Sequence, residues 1–458
     1  MLLRFNKVFL TIKSQLCYNL FNHKKCNFDS ISHKIMLDFL NKDNLSNNQF
    51  TVIDLFSGAG GMSYGFHAHP QFKIIGAIDA QIGKPSLGKG VLDCNKTYEK
   101  NIGLKPYEFD LSKLSGDHLK QLVADRLDGK QLDVLLACPP CTGFSRTNPK
   151  NHIIDDTRNS LVRRVSNWVN SLRPKVIIME NARELIKGNF KAHFWGLVSD
   201  LESLNYTVSS AVHLLDCFGL PQRRERALVI AVMRDLQLHT LEEIWKGYQV
   251  CSEAVTVRRA IESLQPVVAG EVCRNDPMHI SPRQVHSSTR RRLQLIPKDG
   301  GSWIDLKDCS EADLVLTPAM KRLIKQQKFG SHPDVYGRLW WDRPAITIKR
   351  ECAHVGNGRY CHPDQNRQLT VREMAILQGF PKNYQFVSSS LSNMYRHIGD
   401  AVPPLISYQL AWTSSWILTG VKPKLEQVIL PNTHLSYKDI KPDRQAEKLP
   451  LLELLETK

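Results

Sequence analysis

The sequence contains no uninterrupted apolar run of membrane-spanning length; its N-terminal apolar stretch, Val8 to Leu20, is broken by Lys13, Ser14 and Gln15. A spanning helix there is therefore excluded. Cysteine is thin, at 11 in 458 residues, too dilute for the disulfide framework of a small secreted domain and suited to a reducing compartment. Acid is short: 45 Asp and Glu stand against 61 Lys and Arg, a formal net charge of +16. Such a surplus suits either a polyanionic partner, since bases brought to phosphates release counterions, or plain solubility. No internal repeat is present, which removes solenoids and propellers. Residues 1–28 carry bases and no acid; an organelle-targeting segment, an arm for DNA and a start placed too far upstream all fit.

What remains has the composition of a folded globular protein, 42% apolar and 23% charged, long enough for about one to three domains. The run Gln49 to Leu55 predicts a buried strand closed by Ser57-Gly58-Ala59-Gly60-Gly61. Short apolar runs follow at Ile74–Ile78, Leu132–Ala137, Val176–Met179 and Leu228–Val232, with helix-length segments Asp117–Leu127 and Ser160–Ser171 among them. This alternation predicts an α/β fold with a mostly parallel sheet covered on both faces, and places ligand sites at the carboxyl ends of the strands. After Met233 the pattern turns polar, basic and aromatic, with Arg290-Arg291-Arg292, Trp303 and Leu339-Trp340-Trp341; a separate, irregular domain is the simplest account. A helix over 318–327 would put Lys321 and Lys325 on one face. Thr370 with Glu373 three residues on predicts a capping box for a helix to Leu377, stopped by Gly379. A last helix is expected from Leu405 to Leu418, opened by Pro403-Pro404 and ended near Gly420, followed by an extended polar tail over 423–458.

Four places carry chemistry. Glycines after the first strand let backbone N–H groups approach a ligand, and Asp79, closing the next strand, can accept from a ribose diol. The Gly-x-Gly-Gly spacing disfavours a pyrophosphate cofactor. Asp110 suits an adenine amine or, equally, a cap before Ser112. In Cys138-Pro139-Pro140-Cys141 the prolines stiffen a loop at the sheet's carboxyl edge, where Cys141 suits a nucleophile; a redox CxxC pair and an inert buried thiol are the alternatives. Glu180 ends a hydrophobic strand, either as a structural carboxylate or as an acid near a ligand, and Asn181 suits a cap for the next helix. Arg223, Arg224 and Arg226 run into another strand and suit a fixed anion-binding surface.

Taken in order, DLFSGAGG (54–61), Asp79, CPPCTGFS (138–145), MENARE (179–184), QRRER (222–226), LTVREMAILQGFP (369–381) and GDAVPP (399–404) resemble the DNA cytosine-5 methyltransferases that use S-adenosylmethionine. The resemblance spans about Phe50 to Leu418 and implies a Rossmann-like class I methyltransferase sheet with an inserted, smaller target recognition domain. The implied division is an N-terminal extension over 1–48, a catalytic and cofactor-binding domain over 49–240, a target recognition domain over 241–368, the returning catalytic part over 369–422 and a tail over 423–458.

It further implies that Cys141 is the nucleophile, Glu180 the acid, and Arg224 and Arg226 active-site arginines. The donor would lie against Phe56, Ser57, Gly58, Gly60, Gly61, Asp79, Asp110, Pro139, Asp400 and Val402, and the DNA against Ser145, Arg290, Arg291 and Thr347. Two positions depart from the family's usual pattern: Thr142 where Gln is common and Asp400 where Asn is common. The implied scheme is attack of Cys141 on C6 of a flipped-out cytosine, support of N3 by Glu180, and methylation at C5. That scheme asks the arginines to face phosphate or sugar rather than the carboxylate.

The expected partners are double-stranded DNA and a cognate restriction endonuclease, with no membrane, in a bacterial cytoplasm at the nucleoid. An RNA (tRNA) cytosine-5 methyltransferase and a non-catalytic DNA-binding regulator are the competing readings. The loop Gly83–Gly90 suits phosphate or solvent. No metal is assigned: Cys352, His354, Cys361 and His362 lie close in sequence, but adjacent Cys361 and His362 are awkward for one tetrahedral site.

Overall fold

The computed structural model describes residues 49–82, 91–140, 155, 159–327, 329 and 334–443. Cys141, Thr142, Ser145, the loop Gly83–Gly90 and the extension 1–48 lie outside the described residues. All that is described except Gln49 belongs to the unit that starts at Phe50. Among the described residues no helix is long and apolar enough to cross a membrane.

Six strands form the central sheet: β1 (Phe50–Leu55), β2 (Phe72–Ile78), β3 (Val134–Ala137), β4 (Val176–Ala182), β5 (Tyr206–Leu214) and β6 (Glu225–Met233), in the order β2-β1-β3-β4-β6-β5. Strands β1 to β4 pair in parallel, whereas β6 runs antiparallel between β4 and β5. The expected mostly parallel α/β sheet is therefore present. Consecutive residues of the central strands serve opposite cores. Val52, Leu136, Ile178 and Ile230 join one apolar cluster; Ile53, Leu135, Ile177 and Val229 join the other. Burial on both faces is why these strands read as continuous apolar runs instead of alternating ones.

Helices Gly116–Leu127, Ser160–Leu172 and Ala192–Ser203 cover the second face through Val123, Trp168 and Leu197. On the first face the helix Pro404–Thr419 packs against Gly61–Ala68, bringing the end of the chain back onto its beginning. The contact is close because Gly65 has no side chain: a Cβ there would stand 2.2 Å from the Tyr408 backbone nitrogen. Gly420, at φ 75°, ends this helix as expected.

Between the two halves, residues 234–368 are built, where described, from short helices, 3-10 turns and one small two-stranded sheet, Val272–Cys273 with Asp276–Ile280. Trp303 and Trp341 are buried in two further clusters. The guanidinium groups of Arg359 and Arg343 lie over the Trp340 ring, 4.0 and 4.9 Å from its centre. The Thr370–Glu373 capping box is present on helix Val371–Leu377, and Glu373 also takes both Arg367 Nη atoms at 2.7 Å in full burial.

The segment expected as an extended tail is packed where it is described. Val428, Leu430 and Leu435 are buried, and Ile440–Pro442 pairs antiparallel with Tyr248–Val250. Its apolar residues are too widely spaced to show a period, yet each occupies a separate position against the body.

Substituting Gly65→Ala is expected to destabilise the protein by about 1–3 kcal/mol or more, since the added methyl meets backbone and cannot be relieved by a rotamer change. A urea midpoint equal to that of the wild type would contradict this packing.

Candidate active site

A cavity of about 950 Å³ opens over the carboxyl ends of β1, β2, β3 and β4. Its first wall is the turn after β1. Phe56, at φ 63°, and Gly58, at φ 52°, bend the chain away from the sheet. The Gly58 N–H donates to Asp79 Oδ2 at 2.9 Å, and the Gln81 N–H donates to Oδ1 at 2.7 Å, so the acid closing β2 fixes the glycine turn as well as facing the cavity. Burial raises the Asp79 carboxyl, opposed by these two backbone bonds. A Cβ on Gly58 would meet nothing within 4 Å, which marks open space for a ligand. Ser57, Gly61, Pro139, Asp400 and Val402 also line the cavity. Gly60 does not: a Cβ there would stand 3.0 Å from the Tyr384 hydroxyl and 3.2 Å from the Tyr98 ring. Its contribution is the shape of the turn.

Beneath this turn lies a residue that the sequence reading did not single out. Asp54 is fully buried in β1, accepts from Ser63 Oγ at 2.6 Å, and has no hydrogen bond on Oδ1 among the described residues. Ser63 Oγ in turn meets the Tyr98 hydroxyl at 2.7 Å. Burial pushes the Asp54 carboxyl up to about 7, with the Ser63 bond opposing and the charge of Asp79 adding. The signal available in the sequence was an acid within an otherwise apolar strand, which is costly unless it is held neutral or paired.

The second wall joins the ends of β3 and β4. Asn181 does not cap a helix. It lies within β4 and donates from Nδ2 to the Pro139 carbonyl at 3.0 Å, while its Oδ1 accepts from the Ala182 N–H at 2.8 Å. The side-chain amide therefore anchors the proline loop. Burial, with the charge of Glu180 adding, holds the Cys138 thiol well above its ordinary range. It is a neutral group of the wall rather than an attacking one, which leaves the redox-pair reading without a thiolate at Cys138.

Glu180 also lines the cavity, and here the structure corrects the expected arrangement of the arginines. Arg226 Nε stands 2.8 Å from Glu180 Oε1, so this arginine faces the carboxylate. The cause is strand register. Glu180 pairs with Leu228 and Ala182 with Arg226 across the antiparallel β4–β6 ladder, so Glu180 and Arg226 project from the same face as diagonal neighbours. Arg224, just ahead of β6, is buried and donates from Nη1 to the Ile348 carbonyl at 2.9 Å. Arg223 is exposed at the cavity edge.

The remaining candidates divide. Asp110 lines the cavity, and its Oδ1 accepts from the Ser112 N–H at 2.9 Å, so the cap geometry and the cavity position coexist. Its carboxyl is held below the ordinary range by hydrogen bonds from Ser112. Asp400 Oδ2 stands 3.2 Å from Arg350 Nη1; burial raises its carboxyl to about 6 with Arg350 opposing. Thr347 lines the cavity and donates to the Arg223 carbonyl at 2.8 Å.

Arg290 and Arg291 are away from the cavity. Arg290 donates to the carbonyls of Gln284 and Val285, each at 2.9 Å, and Arg291 pairs with Glu311. Arg292 is buried, bonded to the Val315 carbonyl at 2.6 Å and set over the Tyr336 ring, so the three consecutive arginines are not one solvated run. Lys321 pairs with Asp313 at 2.9 Å. The Cys352 thiol faces the Tyr395 carbonyl at 3.2 Å and the Cys361 thiol the Tyr336 carbonyl at 3.5 Å. Among the described residues no group of three or more His, Cys, Asp or Glu comes together to hold a metal ion.

Against known proteins, the profile of the family described as C-5 cytosine-specific DNA methylase matches residues 50–414. The chain is 31% identical over 379 residues to the type II methylase M.HgiDII of Herpetosiphon aurantiacus, covering 81% of this chain and 96% of that protein. It is 29% identical over 376 residues to the type II methyltransferase M.NgoFVII of Neisseria gonorrhoeae, covering 80% and 87%. Among solved structures, a candidate DNA modification methyltransferase encoded within an Escherichia coli prophage superposes with a TM-score of 0.53 at 20% identity, covering 81% of this chain and 99% of that one. That last likeness bears on the fold.

Asp54 supplies a pH test of the geometry under the glycine turn. Its carboxyl is raised above the ordinary Asp value, so its contribution to folding is complete at acid pH and is lost as the pH rises from the ordinary range to about 7. Asp54→Asn cannot ionise, and the stability of this variant relative to wild type should grow steadily from pH 4 to pH 7. Urea midpoints measured across that window would show the divergence; parallel curves would count against a buried neutral Asp54.

Proposed function

The chain belongs to the C-5 cytosine-specific DNA methylase family and is a DNA cytosine-5 methyltransferase, and from that premise we propose that it methylates one cytosine of a specific duplex DNA site through a covalent Cys141 adduct, with S-adenosylmethionine as donor. The observation that carries the reading is the Glu180–Arg226 pair at 2.8 Å, set in the same cavity as the glycine turn and Asp79. One cavity thus offers both a site for a donor and a polar edge for a base.

The residues present fit that donor. Gly58 faces open space, Asp79 presents a carboxylate beside it for hydroxyl groups, and Phe56, Pro139 and Val402 give apolar walls. Ser57, Gly61, Asp110 and Asp400 complete the set, and Gly60 acts by shaping the turn. When bound, the donor supplies an electrophilic methyl on a sulfonium, which leaves as a neutral thioether.

Cys141 adds as its thiolate to C6 of the extruded cytosine, which makes C5 nucleophilic and splits one difficult displacement into easier steps. Glu180 then meets N3. Arg226 Nε stands 2.8 Å from Oε1 as an ion pair, yet that oxygen makes no hydrogen bond among the described residues, so the carboxyl keeps a buried oxygen to offer the ring while the ion pair stays in place. Asn181 keeps the proline loop in position by holding the Pro139 carbonyl. Arg224 lends positive potential to the cavity from a fixed pose. After methylation a base, for which bound water suffices, takes the C5 proton, and elimination restores the thiolate.

We assign target recognition to residues 241–368, between the cofactor-binding part, 49–240, and the returning part, 369–422. Ser145, Arg290, Arg291 and Thr347 are proposed to meet DNA; the intramolecular partners of Arg291 and Thr347 would be shared or exchanged on binding. The bacterial relatives named as type II methylases support a cytoplasmic enzyme acting on chromosomal DNA with a cognate restriction endonuclease.

Expression in a methylation-free host followed by base-resolution mapping should reveal 5-methylcytosine at one recurrent site, while tRNA from the same cells stays unmodified by this enzyme. Cys141→Ser should abolish transfer with DNA binding retained, and Glu180→Gln should lose about 10²-fold or more in single-turnover rate. Wild-type turnover in Cys141→Ser would overturn the mechanism.

A further inference from the structure

Behind the cavity, out of its reach, two side-chain amides are fully buried. Gln222 and Gln378 each have 0% exposure, and neither lines the cavity. Burying two primary amides is costly unless every polar atom is satisfied, and here the bonds form one directed chain. Gln222 Oε1 accepts from the Ile348 N–H at 2.9 Å, which fixes which end of the amide is which. Its Nε2 therefore points the other way, donating to Gln378 Oε1 at 2.6 Å and to the Leu377 carbonyl at 3.2 Å. That in turn fixes Gln378, whose Nε2 donates to the Ala401 carbonyl at 2.8 Å.

The two ends of the chain lie in different walls of the cavity. At one end, Ile348 uses both backbone groups: its N–H goes to Gln222, and its carbonyl receives Arg224 Nη1 at 2.9 Å, with Gln222 Oε1 a further 3.4 Å acceptor for the same nitrogen. The pose of the Arg224 guanidinium is thereby set by atoms that Gln222 sets. At the other end, Ala401 leads into Val402, whose carbonyl lies so close to the glycine turn that a Cβ on Gly61 would stand 2.3 Å from it.

We propose that Gln222 and Gln378 are positioning residues for methyl transfer: through one chain of hydrogen bonds they set the Arg224 side of the cavity and the Ala401–Val402 side together. This inference rests on the donor and base assignments above. Turning either amide breaks bonds at both ends, so the two walls cannot be adjusted separately. A purely structural pair would lower stability when altered without linking donor affinity to the rate of the chemical step.

The test uses the full-length enzyme with Gln222→Met, Gln378→Met and the double variant, Met having similar volume and no capacity to bond. Binding of S-adenosylhomocysteine is followed by calorimetry, and kcat is measured on cognate duplex DNA at saturation. An unpaired buried polar group costs about 1–3 kcal/mol, roughly five- to 150-fold. Each single variant should therefore lose about tenfold in product affinity and a comparable factor in kcat, although Gln222 and Gln378 touch neither ligand. The double variant should resemble the worse single variant, because one chain is broken once.

Gln378→Asn adds an arm that applies even where the Met variants fail to fold. Its amide stays polar but is one methylene too short to bond Gln222 and the Ala401 carbonyl at once, so product affinity and kcat at saturation should fall together, each about tenfold. Product affinity and kcat both at the wild-type level in Gln378→Asn, or losses that multiply in the double variant, would overturn the proposal. Absence of methyl transfer by the wild type would instead be the failure of the functional reading, so the two are distinguishable.

Discussion

The antiparallel insertion of β6 between β4 and β5 is the constraint on which the rest of the site depends. Were β6 parallel to β4, Arg226 would lie at the far end of the sheet from Glu180. Run in reverse, the strand begins at the carboxyl edge, and register alone brings the guanidinium to 2.8 Å from the carboxylate. It also brings Gln222, Arg223 and Arg224 to that edge, immediately before the strand. There the segment 345–349 docks on them, with the Arg223 N–H donating to the Ala345 carbonyl at 2.8 Å and the Ala345 N–H donating to the Pro221 carbonyl at 3.0 Å. One reversal of direction thus joins the acid, the arginines and the segment that follows Trp340 and Trp341.

The parts of the fold legible in the sequence were those whose burial is two-sided or whose ends are chemically marked. β1, β3 and β4 are apolar on both faces and stood out as runs; the helix at Val371 was marked by Thr370 and Glu373, and the last helix by Pro404 and Gly420. β5 was missed because it is an outer strand of half-exposed Thr, Ser, Ala and His, with neither a continuous run nor a clean alternation. The direction of β6 was illegible for a different reason. A buried strand has the same composition either way round, and only its partner fixes its sense.

Within the site, the residues found from sequence were those at the ends of strands: Asp79, Glu180, Arg224 and Arg226. The residues missed were those whose role is set by contacts distant in sequence. Asn181 looks like a helix cap until Pro139 is seen under its amide, and Gln222 is inconspicuous until Ile348 and Gln378 surround it. The basic run at 290–292 misled in the opposite direction, since sequence cannot distinguish an arginine held under Tyr336, as Arg292 is, from one facing solvent.

Charge adds a last step. The chain is strongly basic overall, with a net charge of +16, whereas the cavity lining is nearly balanced: Asp79, Asp110, Glu180, Glu184, Glu225 and Asp400 stand beside Arg164, Arg183, Arg223, Arg224, Arg226, Lys349 and Arg350, with Asp54 buried beneath the glycine turn. A basic exterior favours a polyanion at long range, while a lining of paired charges presents local donors and acceptors rather than a field of one sign. Burial limits how much negative charge the pocket can hold at once, which is why Asp54 is raised to about 7 and Asp400 to about 6 despite the nearby Arg350. The arginines at the pocket edge therefore have a second consequence: by pairing with carboxylates they allow acids to lie close together around one cavity, a grouping that mutual repulsion would otherwise resist.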